Sequence, residues 1–296
     1  MCCRAKTPLS SRATAKAWPT KLVERLSALP LERVAVEATG GFETVIAAAL
    51  AGAGLPLVIL NPAQVRHFAQ AIGQRAKTDP VDALVIARFV EATKPELRPL
   101  ADEATRLLAN LVARRRQIIE MIVAERNRER RVEVKRIRKS IARLIAALEK
   151  ELAEIDAEID TGVRGSPARR EREDLLASVL GVGAITARTL LAEMPELGAL
   201  DKKKIASLAG LAPYARQSGQ WKGKSMIAGG RKDARSALFL AALSACRHNP
   251  ALKAFRDRLV EAGEPKMVAL IAAARKLLVI LNAILRDRQP RREQNA

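Results

Sequence analysis

Short apolar runs and long amphipathic stretches divide the chain between them. Residues 34–36, Val-Ala-Val, predict a buried strand. Residues 43–53 predict a helix and residues 57–60, Leu-Val-Ile-Leu, a second strand, so the order predicts a parallel pair. Another helix opens at Thr78-Asp79-Pro80, where a capping residue precedes Pro at the first helical position; it runs through Val81, Leu84, Val85 and Phe89 and ends at Lys94-Pro95. A long helical region follows over residues 102–160. Its second half sets Ile137, Ile141, Leu144, Leu148, Leu152, Ile155 and Ile159 at spacings of three and four, one apolar seam that predicts a coiled coil or a helical hairpin. Residues 161–172, with Gly162, Gly165 and Pro167, read as a linker, and a second folded unit, helical throughout, begins near Leu175.

No membrane span is expected. The longest apolar stretch free of charge, residues 45–60, is broken by Gly52, Gly54 and Pro56 and falls short of the roughly 20 apolar residues a spanning helix needs. The apolar run 267–285 carries Arg275 and Lys276 at its middle and reads as an amphipathic helix.

Charge changes the picture. The 296 residues include 52 Lys and Arg against 32 Asp and Glu, a formal net charge of +20, so a polyanion is the first partner to expect. At 49% hydrophobic the chain has ample material for packed cores, and its length suits two domains or one with a long helical insertion. Aromatics are only 3%, which argues against stacking single-stranded bases and for gripping backbone phosphate. Residues 114–143 hold 12 Lys or Arg and four Glu, whereas 144–160 hold six acids and one Lys. The basic half, beginning with Arg114, Arg115 and Arg116, is either a solvated helical surface or a nucleic-acid-binding face. No acid precedes Glu24, so residues 1–21 read as a disordered basic leader. Cys2, Cys3, Cys246, His67 and His248 offer no zinc or disulfide spacing, which fits a reducing cytoplasm.

Three constellations could carry chemistry. Leu180-Gly181-Val182-Gly183 leads into a helical run from Ile185 to Leu191, the pattern of a helix-hairpin-helix. There Gly181 and Gly183 would let backbone amides approach a phosphate at a helix N-terminus; a plain inter-helix turn has the same composition. Arg216-Gln217-Ser218-Gly219 is followed by Lys222, Lys224, Arg231 and Arg235. A serine among glycines can approach a phosphodiester while cations neutralise developing charge, and Ser-Gly equally marks a turn. Glu37 ends the first strand, and Asp79 and Asp82 stand three apart on one helical face. These acids suit Mg²⁺, and Asp79 and Asp82 equally suit helix capping.

Four blocks in order resemble one family. They are Val36-Glu37-Ala38-Thr39-Gly40-Gly41-Phe42-Glu43, then Lys77-Thr78-Asp79-Pro80-Val81-Asp82-Ala83 with Ile86-Ala87-Arg88, then the Gly-Val-Gly hairpin, then Arg216-Gln217-Ser218-Gly219. Over about residues 22–288 the chain resembles the IS-one-ten insertion-sequence transposases, which are DEDD transposases. The resemblance implies a mostly α fold with a small α/β part: an incomplete ribonuclease-H-like, RuvC-type domain over 22–100 and a coiled-coil region over 101–162. A linker over 163–174, a helical C-terminal serine transposase domain over 175–288 and a tail over 289–296 complete it. It implies DNA cleavage and rejoining with Ser218 as nucleophile and Glu37, Asp79 and Asp82 as Mg²⁺ ligands. It also implies a guide (bridge) RNA, assembly of the two halves from different subunits of a homodimer or tetramer, and a cytoplasmic, nucleoid-associated location. The family's first Asp has no counterpart, since no Asp precedes Asp79. The expectation is an N-terminally truncated, catalytically impaired form that an upstream strand and Asp would rescue, or a non-catalytic nucleic-acid-binding remnant.

Overall fold

The computed structural model describes residues 18–74, 79–97, 102–215, 217–218, 221–223 and 225–290. The chain divides into two compact units, residues 1–100 and 101–296.

The first unit is a short α/β unit: α1 (Trp18–Ser27), β1 (Val34–Glu37), α2 (Thr44–Gly52), β2 (Leu57–Leu60), α3 (Pro62–Ala71) and α4 (Asp79–Thr93). β1 and β2 pair in parallel, Val34 opposite Leu57 and Glu37 opposite Leu60. Strands covered on both faces carry apolar residues at successive positions, as β2 does. Val34, Val36 and Leu57 pack with Ala47 and Leu50 of α2 and with Val23 and Leu26 of α1. Ala35, Val58 and Leu60 face the other way, onto Val65, Phe68, Val85 and Phe89 of α3 and α4. There Phe68 and Phe89 meet edge to face at 5.5 Å, the arrangement ring quadrupoles favour. α1 begins inside the stretch predicted to be a disordered leader, because Val23 and Leu26 have the α2 face to cover; residues 1–17 lie outside the described residues.

The second unit begins with an antiparallel hairpin of α5 (Glu103–Glu129) and α6 (Lys135–Arg164). Asp102 caps α5 by accepting from the Thr105 amide at 2.6 Å. Leu108, Val112, Ile118 and Ile122 of α5 pack against Ile145, Ile155, Ile159 and Val163 of α6, so the predicted seam closes within one chain. Towards the tip the seam opens, leaving Ile137 and Leu144 about half exposed.

The predicted linker is helical instead. α6 continues through Gly162 to Arg164, and α7 (Pro167–Ala177) starts after two residues. Val163 is fully buried, and Arg188 of α8 (Ala184–Glu193) pairs with both Asp160 of α6 and Glu173 of α7 at 2.6 Å, so tertiary contacts override the weak glycine signal.

α9 (Lys202–Leu208), α10 (Lys232–His248), α11 (Pro250–Glu261) and α12 (Lys266–Asp287) complete the unit. Small residues Ala234, Ala241, Ala242 and Ala245 of α10 allow close packing against Leu277, Leu278 and Leu281 of α12. By length and composition α12 could cross a membrane, but those leucines are fully buried in this core. The unit is not helical throughout. Between α9 and α10 lie β3 (Pro213–Tyr214), β4 (Gln217–Ser218), β5 (Trp221–Lys222) and β6 (Met226–Ile227), where Pro213 and several glycines exclude a helix.

Candidate functional site

Glu37 and Asp82 lie in the first unit. Side chains alternate along a strand, so Glu37 shares the face of Ala35, the face that α4 covers. Asp82 occupies the first turn of α4. Both carboxylates are partly exposed and make no hydrogen bond or ion pair among the described residues. Hard oxygen donors of this kind suit a divalent metal ion. The Asp79 side chain lies outside the described residues, and among those described no three acids or histidines converge. The loop after β1 is held by Glu43, whose carboxylate accepts from the amides of Thr39 at 2.8 Å and Gly41 at 3.0 Å and from the Thr39 hydroxyl at 3.1 Å. Burial alone would raise the Glu43 pKa, but these donors outweigh it and hold the carboxyl below its ordinary value.

Ser218 lies in the second unit on an arm made of two short antiparallel ladders. β3 pairs with β6 near the base; β4 pairs with β5 further out, with Ser218 opposite Trp221. Ser218 is exposed and is the last paired residue before the chain reverses. At the base, Gly210 and Gly230 approach so closely that a Cβ on Gly230 would sit 2.2 Å from the Gly210 nitrogen. Both have positive φ, +69° and +67°, so glycine is required twice over.

Comparison with known proteins places this chain in a family. The DEDD transposase family model of IS110 elements, described as "Transposase", matches residues 11–132, and the model described as "Transposase IS116/IS110/IS902 family" matches residues 173–257. A pilin gene-inverting protein of Moraxella bovis is 30% identical over 260 residues, covering 86% of this chain and 80% of the relative. The chain belongs to the IS110/IS116/IS902 transposase family. An insertion element IS110 protein of Streptomyces coelicolor is 30% identical over 150 residues, half of this chain and 36% of that one.

In this transposase-family chain the cations divide into two classes. Several are engaged internally. Arg231 forks onto Glu196 at 2.5 and 2.7 Å and donates to the Glu193 carbonyl at 2.6 Å. Arg235 donates to the Gly229 carbonyl at 2.5 Å. Arg115 pairs with Asp156 at 2.5 Å, and Arg116 pairs with Asp233 at the start of α10. Arg114 is exposed and reaches Gln117 at 3.3 Å. The acid-rich half of α6 thus lies along α5, where Arg126 also meets Glu149, and this accounts for the change of charge sign along the sequence. At the hairpin tip Arg130, Arg131, Lys135, Arg136, Lys139 and Arg143 are exposed and have no carboxylate partner among the described residues. Arg216 and Lys224 lie outside the described residues, as does the Lys222 side chain.

The two glycines of the α7–α8 turn differ. Gly181 has φ +98°, and a Cβ there would lie 2.4 Å from the Ala245 Cα, so close approach of α10 is sufficient reason for glycine. Gly183 faces open space and precedes the exposed first turn of α8.

Glu193, Glu196 and Asp233 leave no signal in the sequence because their partners are remote in the chain. Burial pushes the Glu193 carboxyl up, the nearby charge of Asp233 adds to the rise, and Arg116 and Arg231 oppose it. A carboxyl raised in the folded state contributes stability below its ordinary value of 4.5 and loses it as pH rises through the folded value. Glu193→Gln is therefore expected to raise the Tm by a few degrees at pH 7–8, with the gain vanishing towards pH 4. Thermal unfolding of variant and parent across that range checks it; a gain of the same size at both ends, or none at either, refutes the assignment.

Proposed function

We propose that this chain cuts and rejoins DNA with the Ser218 hydroxyl as nucleophile. In the step, a bond forms between Ser218 Oγ and phosphorus, the bond from phosphorus to one sugar oxygen breaks, and the serine proton ends on that leaving oxygen. Glu37, Asp79 and Asp82 would hold Mg²⁺, which supplies neutralisation of charge on the phosphoryl oxygens. The observation that carries the reading is the place of Ser218: an exposed hydroxyl near the end of a projecting arm, within a chain whose two halves both match transposase models. Its geometry suits reaching a duplex, and the net charge of +20 suits holding one. A guide RNA that sets the target, and a homodimer or tetramer as the working assembly, belong to the same proposal. Incubation with nicked DNA and Mg²⁺, followed by denaturing electrophoresis and peptide mapping, tests it. A phosphodiester on Ser218 supports the reading, and capture on another residue sinks it.

A second reading, nucleic-acid binding without catalysis, is favoured by the unpaired cations at the α5–α6 tip. Replacing Arg130, Arg131, Arg136 and Lys139 with Ala is expected to weaken duplex binding and to flatten the plot of log affinity against log salt by about 0.9 for each phosphate no longer neutralised. An unchanged slope would show that the tip does not touch phosphate. Binding that depends on this tip, together with the absence of any covalent adduct, would favour the second reading.

A further inference from the structure

The arm that carries Ser218 buries little of itself. Among its described residues Ile227 packs against the helical core, while Tyr214 is 49% and Met226 58% exposed. Segments with little buried surface have low local stability, so the direction of this arm is set where it joins the helices.

Both limbs are pinned there. On the way in, the Leu211 amide donates to the Ala206 carbonyl at 2.8 Å, and the Leu211 side chain is buried. On the way out, the Arg231 amide donates to the Leu208 carbonyl at 2.9 Å, and its guanidinium grips Glu196 in the bidentate geometry that fixes both distance and plane. Arg235 closes the gap: its Nη1 donates to the Gly229 carbonyl at 2.5 Å and lies 3.5 Å from that of Gly210, one carbonyl from each limb. The close approach of Gly210 and Gly230 brings the limbs near enough for one guanidinium to span them.

We propose that Glu196, Arg231 and Arg235 form a clamp at the neck of the arm and are positioning residues for Ser218. This rests on the reading of Ser218 as nucleophile. The leverage is large: at about 3.3 Å per residue the six steps from residue 212 to Ser218 can reach up to about 20 Å, and at that reach a 10° swing at the neck moves the serine by roughly 3–4 Å. A misplacement of about 1 Å costs on the order of 100-fold in rate. Arg231 and Arg235, which the sequence offers as phosphate ligands, thus act on the protein itself.

The test measures where position 218 lies. In a chain carrying Cys2→Ala, Cys3→Ala and Cys246→Ala, spin labels are placed at Ser218→Cys and, on the exposed face of α11, at Lys253→Cys, and diluted with unlabelled chain. One narrow distance distribution is expected in this parent. Arg231→Ala or Arg235→Ala should at least double its width while helical circular dichroism is retained, and Arg231→Lys should fall between. If Arg231→Ala fails to fold, Glu196→Gln, which keeps the shape of the neck, decides the matter by the same broadening. A width unchanged in Arg235→Ala and in Arg231→Ala (or Glu196→Gln in its place) overturns the clamp. In the unlabelled protein Arg231→Ala should cut covalent DNA capture about 100-fold with duplex affinity unchanged. Capture that survives Ser218→Ala would remove the nucleophile reading, and the distance distributions would still decide the clamp.

Discussion

Ser218→Ala is expected to abolish covalent capture of DNA while leaving the fold and the duplex affinity intact. The hydroxyl is the only group removed, it is exposed, and it makes no hydrogen bond among the described residues, so stability should change by less than about 0.5 kcal/mol. Loss of the proposed nucleophile should lower adduct formation by at least about 10³-fold, because the remaining binding and electrostatic groups have nothing to deliver. Ser218→Cys keeps a nucleophile of similar size and should retain some capture. Glu37→Gln and Asp82→Asn should reduce capture and its dependence on Mg²⁺ without disturbing the fold, because these acids make no hydrogen bond or ion pair among the described residues. Capture by Ser218→Ala at the parent rate would place the chemistry elsewhere.

Local patterns are legible where local physics decides. β1, α2 and β2 follow from short apolar runs, and α4 follows from Asp79-Pro80 at one end and Lys94-Pro95 at the other. α3 is hard to see although Asn61 and Pro62 signal its start: Asn61 accepts from the Ala63 amide at 2.8 Å, but the residues that follow, Gln64, Arg66 and His67 among them, blur the apolar period. The stretch around Gly162 and Gly165 mimics a linker because its glycines stand out in sequence, yet they are weak breakers beside a buried Val163 and the ion pairs of Arg188.

Candidate residues are legible as types and less so as partners. A run of cations looks uniform along the sequence, yet Arg115 finds Asp156 and Arg231 finds Glu196 only once helices are packed. What separates them from Arg130, Arg131 and Arg136 is topology: the hairpin sets acids opposite one end of the basic stretch and leaves the turn bare. The four strands of the arm are two residues each, too short for any alternation to show.

Gly181→Ala is expected to destabilise the second unit strongly. Two effects act together: φ of +98° is costly for any residue with a Cβ, and the added carbon would fall 2.4 Å from the Ala245 Cα, which is backbone in the last turn of α10 and cannot rotate away. A strained dihedral and an overpacked helix interface of about 1–3 kcal/mol each give a loss of about 3 kcal/mol or more. For a unit of this size that lowers the Tm by roughly 6–12 °C. Gly183→Ala provides the contrast, because φ of −87° suits alanine and nothing lies within 4 Å of the new carbon, so its Tm should hold. The pair separates the two roles glycine can have in this turn. If Gly183→Asp, which sets a negative charge at the start of α8, weakens duplex binding at an unchanged Tm, the exposed amides there meet phosphate. If Gly181→Ala melts with the parent, α10 has room to shift and the close packing inferred at Ala245 is wrong.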